Sequence, residues 1–233
     1  MPAAEPDRNA PPRPEHLAAT AFIDADHPMV RDFARRAVAG ADDEPERIRR
    51  LFAAVRDEIR YDPYRISADA QDYVASAVIA RGTAFCVPKS VLFAAAARAL
   101  GVPARLGFAD VRNHLQSQRL AEVMGTDVFY WHGYSELYAG GQWRKATPAF
   151  NAELCARFGV SAIDFDGTAD ALLHPFDAAG GRYMEYIRDH GAYVDLPLAH
   201  FLAEIDAAYP GLVQRAPAVH DPAFAGDEDE RSG

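Results

Sequence analysis

The chain has 233 residues, of which 49% are hydrophobic and 25% charged, and these values are close to those of ordinary globular proteins. Its net charge of −10 argues against nucleic-acid binding, because contact with phosphate groups needs a basic face. No apolar run approaches the roughly 20 residues that a membrane-spanning helix needs. The composition therefore predicts a soluble protein with no nucleic-acid or membrane partner.

The two ends of the chain differ in composition from its middle. Residues 1–14 are rich in proline and alanine and residues 216–233 are acidic, so we predict disordered tails there and a single domain over residues 15–215. The first residues lack the basic and apolar segments of a signal peptide. Two cysteines in dissimilar settings do not suggest a disulfide framework. A cytoplasmic location is therefore expected, and the oligomeric state stays open.

Hydrophobic periodicity predicts helices in the first third of the chain and strands after it. Residues 28–38 place apolar side chains on one helical face, and a second helix begins at residues 43–46, where acidic residues and proline occupy the expected first turn. A strand is predicted over 104–111, followed by a polar segment over 112–125 and a β-hairpin. A short helix over 152–158, a Gly/Asp-rich loop and a final helix over 197–208 complete the prediction.

Cys86 opens an apolar helix that ends at Gly101, with Pro103 just beyond, which is the usual signal of a helix C-terminus. A thiol at a helix N-terminus lies in the positive field of unpaired backbone N–H groups, and this field favours the thiolate. We therefore expect the helix start and a nearby imidazole to lower the pKa of Cys86. Cys155 lies within a predicted helix without such a setting and is expected to be a small core residue.

His132 is the candidate base for this thiol. It lies in the β-like run from Phe129 to Tyr138, well downstream of Cys86. A cysteine at a helix start together with a histidine on a strand is the arrangement expected of a cysteine nucleophile and its base. We predict that the sulfur of Cys86 and a ring nitrogen of His132 lie within hydrogen-bond reach.

Four short motifs around these two residues stand in a characteristic order. They are Gly82 four residues before Cys86, the run Leu-Gly-Val-Pro-Ala-Arg from Leu100 to Arg105, the pair Trp131-His132 with Glu136 four residues on, and a Gly140-Gly141 turn before the return strand from Gln142 to Pro148. In this order they resemble the core of the transglutaminase-like superfamily, which belongs with the papain-like cysteine enzymes. The resemblance covers Gly82 to Pro148.

The resemblance implies an α+β fold, in which an antiparallel sheet packs against an N-terminal helical part and the cysteine helix. It also implies that Cys86 attacks the carbonyl of a peptide or amide substrate, while His132 activates the thiol and later protonates the leaving amine. The backbone N–H of Cys86 is expected to be one oxyanion donor. Water would resolve the acyl-thioester in a peptidase or amidase, and an amine would do so in an acyltransferase; both outcomes stay open.

The third catalytic position departs from the family pattern. The family has an aspartate there to orient the histidine, and the matching residue in this chain is Thr147. A hydroxyl accepts a hydrogen bond from imidazole but cannot stabilise an imidazolium as a carboxylate does. Asn151 is a rival, because papain-like enzymes use an asparagine in this role. Asp110, Asp164 and Asp166 are further candidates.

The missing aspartate also supports a hypothesis of another class, a catalytically silent member that serves as a scaffold or binding module. Motifs for phosphate, zinc and dithiol chemistry are not found in the sequence, so we expect neither a cofactor nor a metal. The acidic segment over 164–177 lacks the spacing of the known calcium loop. It is expected to be a turn-rich loop.

Overall fold

The computed structural model describes residues 7–114, 116–173, 180–181, 183–215, 221 and 224. Helices dominate the first half of the chain, and most of the sheet comes from the second half. In chain order the elements are α1 (Pro28–Ala37), α2 (Glu44–Glu58), β1 (Arg60–Tyr61), α3 (Ala75–Arg81), β2 (Thr83–Ala84), α4 (Cys86–Ala99), β3 (Ala104–Asn113), α5 (Gln118–Met124), β4 (Val128–Ala139), β5 (Gln142–Ala146), α6 (Ala152–Arg157), β6 (Met184–Tyr193), α7 (Leu198–Ala208) and α8 (Leu212–Arg215).

The first two helices begin where their sequences predict. Pro28 occupies the first turn of α1, and the ring of His27 accepts the N–H of Met29. The carboxylate of Asp43 accepts the N–H of Glu46 in the same way at the start of α2. The apolar face of each helix is buried. The sequence prediction of both helices is therefore confirmed.

The main sheet has four antiparallel strands in the order β5-β4-β3-β6. In the β3–β4 pair, Ala109 lies opposite His132 and Leu106 opposite Ser135. Helices precede the sheet along the chain, and α4 packs against it, so the α+β prediction is confirmed, as is the hairpin of β4 and β5.

The first turns of α4 approach β4 closely. A side-chain carbon at Gly133 would lie 2.9 Å from the Cα of Val87, so only glycine permits this spacing without a shift of the backbone. One turn further, the hydroxyl of Ser135 donates to the carbonyl of Ser90 at 2.9 Å. These contacts place the N-terminus of α4, and Cys86 with it, against the strand that carries His132.

A buried lysine fixes the other side of α4. Lys89 is fully buried, and its ammonium donates to the carbonyls of Arg56 at 2.7 Å and Ile59 at 2.5 Å, at the end of α2. Burial holds the pKa of Lys89 well below its usual value. The carbonyls left free at the end of α2 thus receive donors from within α4, which ties the cysteine helix to the helical half of the domain.

α5 and β6 are among the elements of the site region that were not predicted from the sequence. α5 lies within the segment described from the sequence only as polar, and β6 follows the segment predicted as a Gly/Asp-rich loop. β6 has several exposed residues, and its pairing with β3 is interrupted by two register shifts. A strand without regular alternation gives no clear period-2 signal, which is why sequence reasoning missed it.

The division into a domain over 15–215 and two tails stays a prediction. Residues 1–6 and, apart from 221 and 224, residues 216–233 lie outside the described residues, as does most of the second half of the acidic loop over 164–177. In the described part of the N-terminal segment, the carbonyls of Arg8 and Ala10 accept hydrogen bonds from Trp143, both at 2.9 Å. Among the described residues we find no helix with the length and apolar character that crossing a membrane requires.

Candidate active site

Cys86 is the first residue of α4, as the sequence predicts, and its side chain is buried. Burial raises the pKa of Cys86 to about 11, while the backbone N–H groups of Gly133, Val87 and Cys86 itself act in the opposite direction. The predicted lowering of this pKa is therefore wrong. The field of the helix start is present, but the removal of water from around the thiol outweighs it.

His132 projects from β4 and is 2% exposed. Burial lowers its pKa to about 4, because the loss of surrounding water disfavours the charged imidazolium. Its Nε2 is buried and has no hydrogen-bond partner among the described residues. At neutral pH both this imidazole and the thiol of Cys86 are therefore uncharged.

Cys86 and His132 line one cleft, as the resemblance implies for a nucleophile and its base. The walls of the cleft come from the loop after β1, from α5 with the start of β4, and from α7 with α8. A direct hydrogen bond between the thiol and the imidazole stays a prediction. The fold thus brings together the two residues that the sequence singled out and surrounds them with apolar side chains.

Thr147 directly follows β5, where its backbone N–H donates to the carbonyl of Ala171 at 3.0 Å. The side chain is 1% exposed, and the hydroxyl of Tyr186 lies near it. The geometry of that approach is not that of a hydrogen bond, and Oγ1 of Thr147 has no partner among the described residues. Thr147 and His132 thus each bury one polar atom without a partner.

The amide of Asn151 is hydrogen-bonded to backbone groups of the α2–β1 connection. Its Oδ1 accepts the N–H of Tyr61 at 2.6 Å, and its Nδ2 donates to the carbonyls of Ile59, at 2.9 Å, and Arg56. Both polar atoms of the side chain are therefore already used in holding α6 against the end of α2.

The two aspartates after α6 accept local hydrogen bonds. Asp164 accepts the N–H of Phe165 at 3.0 Å. Asp166 accepts both the N–H and the hydroxyl of Thr168, at 2.9 and 2.7 Å, and these bonds lower the pKa of Asp166. These contacts are typical of a turn and give neither carboxylate a part in the cleft.

Asp110 binds a histidine that sequence reasoning missed. Its Oδ1 lies 2.7 Å from Nε2 of His190 on β6 and also accepts the backbone N–H of Trp131 at 3.1 Å. Because a carboxylate only accepts hydrogen bonds, Nε2 of His190 carries the proton in this contact. The pair depends on a strand that was not predicted, so no local pattern could have identified it.

The Asp110–His190 pair supports an unusual backbone conformation beside the candidate base. Trp131 has a φ of +56°, in the left-handed region that non-glycine residues rarely adopt, at a β-bulge where β4 passes Asp110. The ring of His190 stacks on the Trp131 indole with centroids 4.6 Å apart and planes 20° apart. The pair thus holds both the backbone and the ring of the residue that precedes His132.

Among the described residues, no group of three or more His, Cys, Asp or Glu side chains is arranged to hold a metal ion.

Comparisons with known proteins relate this arrangement to a family. The model of the transglutaminase-like superfamily matches residues 31–148, which run from α1 past β5 and include Cys86, His132 and Thr147. A solved structure of a candidate cysteine protease from Cytophaga hutchinsonii is similar with 16% identity and a TM-score of 0.44. That comparison covers 76% of this chain and 53% of the other, so the chain spans about half the length of that protein. A comparison with curated proteins found no match.

Proposed function

The chain belongs to the transglutaminase-like superfamily, and from this premise we propose that it is a cysteine enzyme acting on an amide or related acyl group. The proposed intermediate is an acyl-thioester on Cys86. The observation that supports it most directly is that Cys86, at the first residue of α4, and His132, on β4, line one cleft. Helix-start cysteine and strand histidine are the nucleophile and base of this chemistry.

We propose that proton transfer accompanies the attack instead of preceding it. The pKa of Cys86 is about 11 and that of His132 about 4, so both groups are neutral over most of the pH range. As the sulfur bonds to the carbonyl carbon, His132 takes the thiol proton, and it then delivers this proton to the departing amine as the carbon–nitrogen bond breaks. The backbone N–H of Cys86 is the proposed oxyanion donor.

The surroundings of His132 favour slow turnover. The position that matches the family's aspartate carries Thr147, and a hydroxyl cannot stabilise the imidazolium formed in each cycle as a carboxylate does. Attack by water would make the protein a peptidase or amidase, and attack by an amine would make it a small acyltransferase. We keep both reactions as proposals, since each resolves the same thioester.

The test is the direct detection of the acyl-enzyme. The protein is mixed with an activated p-nitrophenyl ester, and its intact mass is followed with and without an added primary amine. We expect one acyl group on the wild type and on Cys155→Ser, and none on Cys86→Ser. Acylation that survives in Cys86→Ser, or a mass change that requires Cys155, would contradict the proposal.

A second candidate function, a catalytically silent scaffold, is favoured by the pKa values of the two cysteines. Burial raises the pKa of Cys155, as of Cys86, to about 11. By acidity alone the two thiols are therefore alike. Labelling with a small thiol-reactive probe at neutral pH separates the candidates: faster labelling of Cys86 supports the enzyme, and equally slow labelling of both supports the scaffold.

A further inference from the structure

The cleft beside Cys86 is uncharged as well as apolar. Among the described residues that line it, none is Asp, Glu, Lys or Arg. Most of the wall consists of aliphatic and aromatic side chains, among them Ile66, Leu120, Val123, Phe129, Ile205 and Leu212. In a chain with a net charge of −10, an uncharged surface next to the nucleophile selects against charged groups.

Two tyrosines of the wall have their hydroxyls engaged elsewhere. The hydroxyl of Tyr64 donates to Asp221 at 2.8 Å. The hydroxyl of Tyr209 donates to the carbonyl of Val128 at 2.5 Å and accepts the N–H of Tyr130 at 2.7 Å. These two side chains therefore offer the cleft their rings, and a polar group placed against them would lose its water without gaining a partner.

The size of the cleft limits what can occupy it. The free space measures about 70 Å³. An enclosed apolar cavity of about 150 Å³ holds one benzene ring, so the free space here is about half of what a phenyl ring needs. A short, branched aliphatic chain is smaller and suits this space better than a phenyl ring on a short linker.

We propose that the acyl donor of this protein carries a short, uncharged, branched aliphatic chain in this cleft, with no carboxamide or carboxylate at the end of that chain. The inference rests on the proposed function, because it places the acyl carbonyl at Cys86. In the transfer a carbon–sulfur bond forms as the bond from the carbonyl to the leaving group breaks. The proton moves from the thiol, through His132, to the leaving group.

The first test compares p-nitrophenyl esters that share one leaving group. The 4-methylpentanoyl ester has the proposed chain, the 4-carbamoylbutanoyl and glutaryl esters have similar lengths with polar ends, and the 3-phenylpropanoyl ester is larger. We expect kcat/KM for the 4-methylpentanoyl ester to exceed each of the others at least about tenfold, a ratio that a shaped apolar pocket can supply. Equal or faster reaction of either polar ester at Cys86 would overturn the inference and leave the acyl-thioester intact.

A variant with a matched control tests whether the cleft sets this preference. Met124 lines the cleft and is partly buried, whereas Met29 on α1 is 40% exposed and lies outside it. Met124→Ala should raise the rate ratio of the 3-phenylpropanoyl to the 4-methylpentanoyl ester at least about threefold, because it enlarges the cleft. Met29→Ala should leave the ratio unchanged. An equal ratio in both folded variants would overturn the inference.

A binding measurement separates failure of the inference from failure of the proposed function. In the Cys86→Ser protein, 4-methylpentanamide should raise the melting temperature and pentanediamide should not. Stabilisation by 4-methylpentanamide without acylation of the wild type would keep the cleft preference and reject the reaction. If neither amide stabilises the protein and no ester acylates it, both the inference and the proposed function are wrong.

Discussion

Of the histidines that adjoin Trp131, His190 and His132 differ in whether a carboxylate reaches them. His190 donates to Asp110 at 2.7 Å and stacks on the indole ring. His132 is the next residue along β4, lines the cleft with Cys86 and buries its Nε2 without a partner among the described residues. The motif points to His132, yet the histidine that has a carboxylate is His190.

The difference indicates that His190 has a positioning role, whereas His132 is the candidate reacting group. Asp110 also holds the N–H of Trp131, whose φ of +56° marks a strained backbone immediately before His132. A carboxylate in this part of the fold therefore stabilises a bulge, while the candidate base stays neutral. We therefore predict different consequences for substitutions at His190 and at His132.

The largest expected effect comes from removing each histidine in turn. His132→Ala should lower kcat/KM for acylation about 10³-fold, because a general base contributes about 10²–10⁴-fold. His190→Ala should lower it less than about tenfold and act mainly on stability. Steady-state kinetics on the two variants measures these effects, and urea unfolding shows whether each variant is folded. If folded His190→Ala lost as much activity as His132→Ala, the assignment of different roles to the two histidines would be wrong.

Asp110→Ala should lower the free energy of unfolding by about 2–4 kcal/mol, since it leaves two buried donors, the N–H of Trp131 and Nε2 of His190, without an acceptor. Urea denaturation measures the loss. Asp32→Ala is the control, because Asp32 is exposed and pairs only loosely with Arg35 at 3.5 Å. Equal stability losses in the two variants would remove the structural role assigned to the Asp110–His190 pair.

The buried His132 should make the protein less stable in mild acid. Its pKa is about 4 in the folded state, below the value of about 6.5 in an unfolded chain. The unfolded state therefore takes up the proton first, and stability falls as the pH drops from about 6.5 to about 4, by about 3 kcal/mol from this group. His132→Gln should lack this part of the loss.

Urea unfolding at pH 7 and pH 4.5 provides the measurement. His27→Asn is the matched control, since this exposed histidine caps α1 and asparagine preserves the cap. The wild type and the control should lose stability alike, and His132→Gln should lose less. Equal losses of stability between pH 7 and pH 4.5 in all three proteins would mean that His132 is not buried as a neutral imidazole.

The smallest effect is expected from giving His132 a carboxylate partner, as His190 already has in Asp110. Thr147→Asp should raise the pKa of His132 and increase kcat/KM about tenfold, because a carboxylate stabilises the imidazolium. Thr147→Val should lower activity if the hydroxyl orients the ring. Histidine NMR titration and kinetics measure both effects, with Thr168→Asp as a control for added charge at an exposed site.

If both substitutions at Thr147 left the activity unchanged and Asn151→Ala abolished it, the orienting role would belong to Asn151. The structure makes that outcome unexpected, because the amide of Asn151 is bonded to Tyr61, Ile59 and Arg56 backbone groups. A loss of activity in Asn151→Ala would then have to be compared with the stability of the variant.

The sequence by itself determined the class of fold and the two central residues of the candidate site. Cap signals, helical periodicity and a glycine–proline stop are local features, so α1, α2 and α4 begin at or within a residue of the predicted positions and α4 ends within two residues of Gly101. The order of the motifs around Cys86 and His132 pointed to the superfamily that the comparisons support.

Only the tertiary structure decided the pKa of Cys86 and the backbone conformation beside His132. The pKa of Cys86 depends on water excluded by segments far away in the chain, and this burial reversed the prediction from the helix start. The Asp110–His190 pair and the left-handed Trp131 depend on the register of β6, which has no regular alternation. Local patterns specify where helices begin and end, whereas desolvation and long-range pairing emerge only when distant segments pack together.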